Sequence, residues 1–210
     1  MPSPNPINLS PEVADIYKKA TEALSKKNYA YAVELLWQVT LLKEDFTEAR
    51  HLLHITEKKM AEITRPDITL KLVALTRSGL FRIKALFCEI QGRLPEAVIA
   101  YESALRSDPC NPSILRKIAI SLFKSGMSES AIALFEEVLQ IKNDDLVALK
   151  KLGALYKEKG DLQRARSCYA NLLKLSPFDR ESETALKNLD ALDVIKEQYK
   201  GGDASELKER

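Results

Sequence analysis

The chain has 210 residues, 45% hydrophobic and 30% charged, a balance that supports a buried core and argues against wholesale disorder. Lys and Arg total 32 against 30 Asp and Glu, so the net charge of +2 exerts no global pull toward nucleic acid or an anionic membrane. The odd set Cys88, Cys110 and Cys168 lacks CxxC spacing and suits a reducing, cytoplasmic setting, and no leader peptide or membrane-spanning apolar run is seen.

In chain order, residues 1–9 are Pro-rich and expected to be disordered. Ser10-Pro11 reads as a helix start, a cap residue followed by proline at the first helical position. A first helical unit spans residues 13–46, and a helix is predicted from about Phe46 to Ile63. Thr64-Arg65-Pro66-Asp67 reads as a turn. A second helix from Ile68 either ends short or continues into the helix after Ser78, so residues 47–77 form a degenerate element.

From Ser78 onward the chain is periodic. Gly92, Gly126 and Gly160 lie 34 residues apart, and so do Ala97, Ala131 and Ala165. Tyr101, Phe135 and Tyr169 keep the same period, as do Ala85, Ala119 and Gly153, while Pro109 and Pro177 sit two periods apart with Asn143 between them. Five registers repeating together mark a structural repeat. Units begin at Ser78, Pro112 and Leu146. In the third, Leu149, Leu152, Gly153 and Tyr156 follow the i, i+3, i+4, i+7 spacing of a helix face. Gly160 is expected to end that helix in a left-handed conformation, Asp161 to cap the next, and Pro177 to stop it. The second unit opens with the cap pair Asn111-Pro112.

Beyond Pro177, Ala185, Leu186, Leu189, Leu192 and Ile195 make one stripe on a helix over 180–199. A repeat array needs such a terminal helix to cover its last apolar surface. Gly201-Gly202 is expected to end it, leaving 200–210 as a flexible tail.

These registers resemble the tetratricopeptide repeat (TPR) family. Leu152, Gly153, Tyr156, Ala165, Tyr169 and Pro177 match its motif in 146–179. Ala85, Ala97, Tyr101, Ala104 and Pro109 match in 78–111, and Ala119, Ala131 and Phe135 in 112–145. Ala20, Ala23, Ala32 and Leu36 place a weaker repeat at 13–46. Lys84 stands where the motif has Leu, Val138 and Leu172 where it has Ala, and Asn143 replaces a proline, which puts local packing in doubt rather than the fold. The resemblance implies an all-α, right-handed solenoid of stacked antiparallel helix pairs, a superhelix closed by a C-terminal capping helix.

The resemblance also implies a concave groove lined by positions 2, 5, 9 and 12 of each first helix. Those positions are Gly79, Arg82, Leu86 and Glu89, then Ser113, Arg116, Ile120 and Phe123, then Val147, Lys150, Ala154 and Lys157. Position 5 is basic three times, beside an apolar strip of Leu86, Ile120 and Phe123. A partner peptide with acidic and apolar side chains is the expected ligand, because Arg forks onto carboxylates. The competing reading is a solvated basic stripe. The family's heat-shock-tail clamp needs Lys and Asn at positions 5 and 9, and position 9 here is Leu86, Ile120 or Ala154, so that function is not carried over.

His51 and His54, flanked by Glu48 and Glu57 at three-residue steps, are read as surface histidine–glutamate pairs, since one helix cannot wrap a tetrahedral ion. Cys88 falls on a core position, Cys168 sits beside Tyr169, and Cys110 lies in a loop with nothing nearby to lower its pKa. No phosphate-cradling glycine loop or nucleic-acid motif occurs, so no enzyme activity, cofactor or metal is expected. The leading class is a protein-interaction scaffold or adaptor. The alternatives are a dedicated chaperone of one exported or assembled client, and a self-assembling, homodimeric or filamentous protein, which an exposed apolar face on 180–199 would favour.

Overall fold

The computed structural model describes residues 9–64 and 68–205, with side chains described for 9–64 and 73–192. Among the described residues there are ten helices and no strand: α1 Pro11–Ser25, α2 Tyr29–Leu42, α3 Thr47–Ile63, α4 Ile68–Ile90, α5 Leu94–Leu105, α6 Pro112–Lys124, α7 Ser128–Ile141, α8 Leu146–Glu158, α9 Leu162–Leu175 and α10 Arg180–Ser205. This is an all-α helical-repeat fold. It divides into two compact units, residues 1–137 and 138–210, the division falling inside α7.

The helix ends follow the expected local chemistry. Gly92, Gly126 and Gly160 adopt φ of 76°, 80° and 81°, where a Cβ would be strained. Ser10 Oγ accepts from the Val13 amide at 3.3 Å, and Asn111 Oδ1 accepts from Ser113 and Ile114 at 3.1 and 3.2 Å. Asp161 Oδ1 accepts from the Arg164 amide at 3.1 Å. Each satisfies helix-end donors that have no intrahelical partner. Asp145 does the same for α8, accepting from Ala148 at 3.0 Å, a cap the sequence reading passed over.

In the first unit, α1 packs on α2, α2 on α3, α4 on α5 and α5 on α6. Ala20, Ala32, Leu36, Ala85, Ala97, Ala119, Ala131 and Phe135 are all fully buried, as their registers require. Leu9, expected in a disordered terminus, instead packs against the cluster of Val13, Val39 and Ala49; the rest of that segment, residues 1–8, lies outside the described residues. The turn expected at Thr64–Asp67 has only Thr64 among them, where it caps α3.

Residues 47–77 resolve the open choice: α4 runs without a break through Ser78. Nothing in 68–90 stops a helix, since it holds no proline and its single glycine, Gly79, has no positive φ.

The α3 helix departs most from expectation. His54 and Glu57, read as surface pairs, are 1% and 3% exposed. One face of α3, Ala49 and Leu53, joins the apolar clusters of α1 and α2. The adjoining face, Arg50, His54 and Glu57 at i, i+4 and i+7, is buried and ionic. Arg50 Nε donates to Glu102 Oε1 of α5 at 2.6 Å. His54 Nδ1 lies 3.2 Å from Glu137 Oε2 of α7, and Lys58 Nζ donates to Glu137 Oε1 at 2.5 Å. Thr47 and Ser130 hydroxyls meet at 2.7 Å. The partners are 52 to 83 residues away in sequence, so local spacing carried no sign of them.

In the second unit, α8 packs on α9 and α9 on α10. Leu149, Leu152, Tyr156, Ala165 and Tyr169 are buried, and so are the departures Val138 and Leu172. A Cβ on Gly153 would lie 3.0–3.2 Å from three ring atoms of Tyr169, which explains the small residue there. Leu189 of α10 is fully buried, and Ile195 lies outside the described side chains. The expected stop at Gly201-Gly202 does not occur: α10 continues through both glycines to Ser205, so the first half of the expected flexible tail is helical.

Candidate functional site

The 34-residue period puts the same helical positions of α4 and α6 side by side. Between them lies a groove of about 570 Å³ lined by Gly79, Arg82, Ile83, Leu86, Tyr101, Ser113, Ile114, Arg116 and Lys117. Five of these, Gly79, Arg82, Leu86, Ser113 and Arg116, are residues that the positional rule selects. Ile83, Ile114, Lys117 and Tyr101 were missed. The first three sit one position beyond a selected residue, on the shoulder of the same face. Tyr101 belongs to α5 and was read only as a packing aromatic.

The groove wall has a fixed polar floor. Tyr101 Oη donates to Glu89 Oε2 at 3.0 Å, and Lys117 Nζ donates to the same oxygen at 3.3 Å. Lys124 Nζ approaches the other oxygen of Glu89 at 3.7 Å. Glu89 is thus neutralised by its own chain, and its side chain is only 8% exposed. Burial first, then the hydrogen bond to the Glu89 carboxylate, holds the Tyr101 phenol well above its usual pKa, so it stays a donor at any physiological pH.

Arg82 is exposed and Arg116 half-exposed. Ile120 and Phe123 follow Arg116 on α6 by one and two turns and do not line the groove. In the second unit, Lys150 donates to Asp179 Oδ2 at 3.1 Å and lies 2.6 Å from Glu181 Oε2. The third basic position is therefore matched by carboxylates at the start of α10, which its sequence position did not reveal. Lys157 is exposed on α8.

The lining offers two cationic side chains, one from each helix, together with aliphatic side chains and a phenol. It can bind carboxylates and small apolar groups together. Among the described residues, no group of three or more His, Cys, Asp and Glu is placed to hold a metal ion, and no helix is long and apolar enough to cross a membrane.

Residues 122–189 match the tetratricopeptide repeat family model. Among curated proteins, the chain is similar to DnaJ homolog subfamily C member 3 of Homo sapiens, with 28% identity over 98 residues that make up 47% of this chain and 19% of that protein. It thus spans about a fifth of that relative's length. Among solved structures it is similar to the first TPR of Spaghetti (RPAP3) bound to HSP90 peptide SRMEEVD, with a TM-score of 0.53 and 20% identity, covering 57% of this chain and 95% of that one. It is also similar to the Arabidopsis OM64 TPR domain, with a TM-score of 0.52 and 16% identity, covering 56% and 98% respectively. At these identities the structural likenesses concern the fold.

Proposed function

We propose that the chain, whose residues 122–189 match the tetratricopeptide repeat family model, is a non-catalytic adaptor whose α4–α6 groove holds a partner's acidic and apolar peptide segment. The observation that carries this reading is the pairing of Arg82 and Arg116 with Ile83, Leu86 and Ile114 around one cavity. Buried or half-buried guanidinium–carboxylate contacts are stronger than neutral hydrogen bonds, and the aliphatic strip rewards a neighbouring apolar side chain. A structural neighbour that binds the acidic segment SRMEEVD makes the same ligand chemistry reasonable here. The heat-shock tail itself is not proposed as the ligand, because Leu86 and Ile120 stand where the clamp would need Asn.

Glu89 carries less of the site than its position implied, being paired within the chain, and Ile120 and Phe123 contribute where the ligand extends past the groove; Lys150 and Lys157 belong to the other compact unit and are not assigned to this groove. The test is affinity capture with wild-type and Arg116→Glu protein, followed by mass spectrometry and titration of the captured partner's segment. Arg116→Glu should weaken binding at least tenfold, and Arg82→Glu similarly, since each loses an attraction and adds a repulsion. A partner bound equally well by both variants would remove the groove from consideration.

A further inference from the structure

α4 carries a second feature. Val73, Thr76, Leu80, Ile83, Phe87 and Ile90 recur at alternating steps of three and four residues. That is the spacing of a seam made to receive another helix, its knobs entering the holes of the facing helix. A helix facing only solvent has no use for such a row. Yet Leu80, Ile83, Phe87 and Ile90 are 70%, 68%, 59% and 77% exposed, and Val73 is 63% exposed. The seam spans 18 residues of one unbroken helix, roughly 27 Å at the α-helical rise. Exposed apolar rows of this length mark interaction surfaces.

Charge selects the occupant. Arg77 and Lys84 flank the seam on one side and both are exposed. The only acidic side chain in the described part of α4 is Glu89, which is paired to Lys117 and Lys124. Two copies of α4 packed antiparallel would bring Lys84 against its own counterpart. Packed in parallel, they would set Lys84 against Gly79, with nothing to attract it. A helix with acidic flanks meets neither obstacle.

We propose that the exposed apolar face of α4, centred on Leu80, Ile83, Phe87 and Ile90, docks an amphipathic helix of another protein that presents apolar residues at heptad spacing and carboxylates beside them. This surface goes beyond the groove: Leu80, Phe87 and Ile90 do not line it, and only Ile83 is common to both.

The probe is a three-heptad peptide with Leu and Ile in the seam positions and Glu on both flanks, titrated against the full chain by fluorescence anisotropy. Its twin carries Lys on the flanks. The Glu peptide should bind at least tenfold more tightly than the Lys peptide. Leu80→Glu with Phe87→Glu should weaken it at least tenfold while leaving helix content unchanged, because both side chains are exposed. Arg77→Glu with Lys84→Glu should reverse the preference between the two peptides, which tests the charge argument in a variant that keeps every apolar residue. Arg116→Glu should leave Glu-peptide binding within a few-fold, so failure here is separable from failure of the groove. Equal binding of the two peptides, or loss of binding through Arg116→Glu but not through the seam variants, would overturn the proposal. A dimer of the chain alone that dissociates on Leu80→Glu with Phe87→Glu would overturn it too, by giving the seam to a second copy.

Discussion

Replacing Glu137 with Gln removes the carboxylate on which α3 is anchored. Glu137 is 5% exposed and engages His54 and Lys58 with separate oxygens. Burial alone would raise its pKa, and this is the largest single influence, but the His54 and Lys58 contacts outweigh it and hold the carboxyl at about 2 against 4.5 unperturbed. At 1.36 kcal/mol per unit, that difference corresponds to about 3 kcal/mol of stability at neutral pH. The sign follows from a depressed folded-state pKa: the contribution is complete above the unfolded value of 4.5 and is lost as pH falls toward 2. Glu137→Gln should therefore cost about 3 kcal/mol at pH 7 and only about 1 kcal/mol at pH 3. His54 limits any larger loss: burial, the largest influence, pushes its pKa down, while Glu137 first and then Glu102 and Glu57 raise it overall. Without Glu137 the imidazole can shed its proton rather than remain a buried, unpaired cation. Urea unfolding followed through the fluorescence of Trp37, the single tryptophan, reports on the same unit. A loss equal at both pH values, or no loss at pH 7, would refute the reasoning.

Glu57 should behave in the opposite sense. Burial pushes its carboxyl to about 7, and His54 first, then the Arg106 guanidinium at 3.7 Å, offset this only in part. A raised acid contributes stability below its unfolded pKa of 4.5 and loses it as pH rises through 7, so Glu57→Gln should gain about 1–3 kcal/mol at pH 8 and little at pH 5, checked by the same urea titrations. Gly153→Ala should destabilise by about 1–2 kcal/mol, because a methyl 3.0 Å from the buried Tyr169 ring costs more than the roughly 1 kcal/mol of helix propensity it adds; a raised melting temperature would count against this. Asp145→Ala should cost about 1–2 kcal/mol by leaving the buried Ala148 amide without its cap, read as a lower urea midpoint.

What could be read from the sequence was what repeats or what acts locally. The 34-residue period, the glycine helix ends, the proline and Asx helix starts and the small-residue contacts at Ala85, Ala119 and Gly153 each follow from neighbouring residues. Five groove positions followed because a helix maps sequence onto direction. The polar partnerships did not follow. Glu89 and Lys150 were selected as ligand-facing because their positions point outward, yet Tyr101, Lys117 and Lys124 take one and Asp179 and Glu181 the other. His54 and Glu57 looked like solvated pairs because the residues three and four away from His54 on either side (Arg50, His51, Glu57 and Lys58) are all polar. His54 is buried against Glu137 and Glu57 against His54 and Arg106, and no spacing rule connects Glu137 or Arg106 to them.

The ionic face of α3 and the bare seam of α4 have a common physical origin. A helix covers a neighbour only if their facing surfaces agree in polarity. Arg50, His54 and Glu57 would each lose hydration without compensation against Leu80, Ile83 and Phe87, a cost of several kcal/mol per buried ion. Against Glu102 and Glu137, Arg50 and His54 find partners at 2.6 and 3.2 Å. The charges thus direct α3 to α5 and α7, and no segment with a matching apolar stripe is left in residues 9–64 to cover α4: the apolar faces of α1, α2 and α3 are already turned on one another through Ala20, Val33, Leu36 and Leu53. Replacing the ionic face by apolar residues of similar size would remove that discrimination. The identity of the residues buried under α3 therefore bears on whether α4 stays open to a partner.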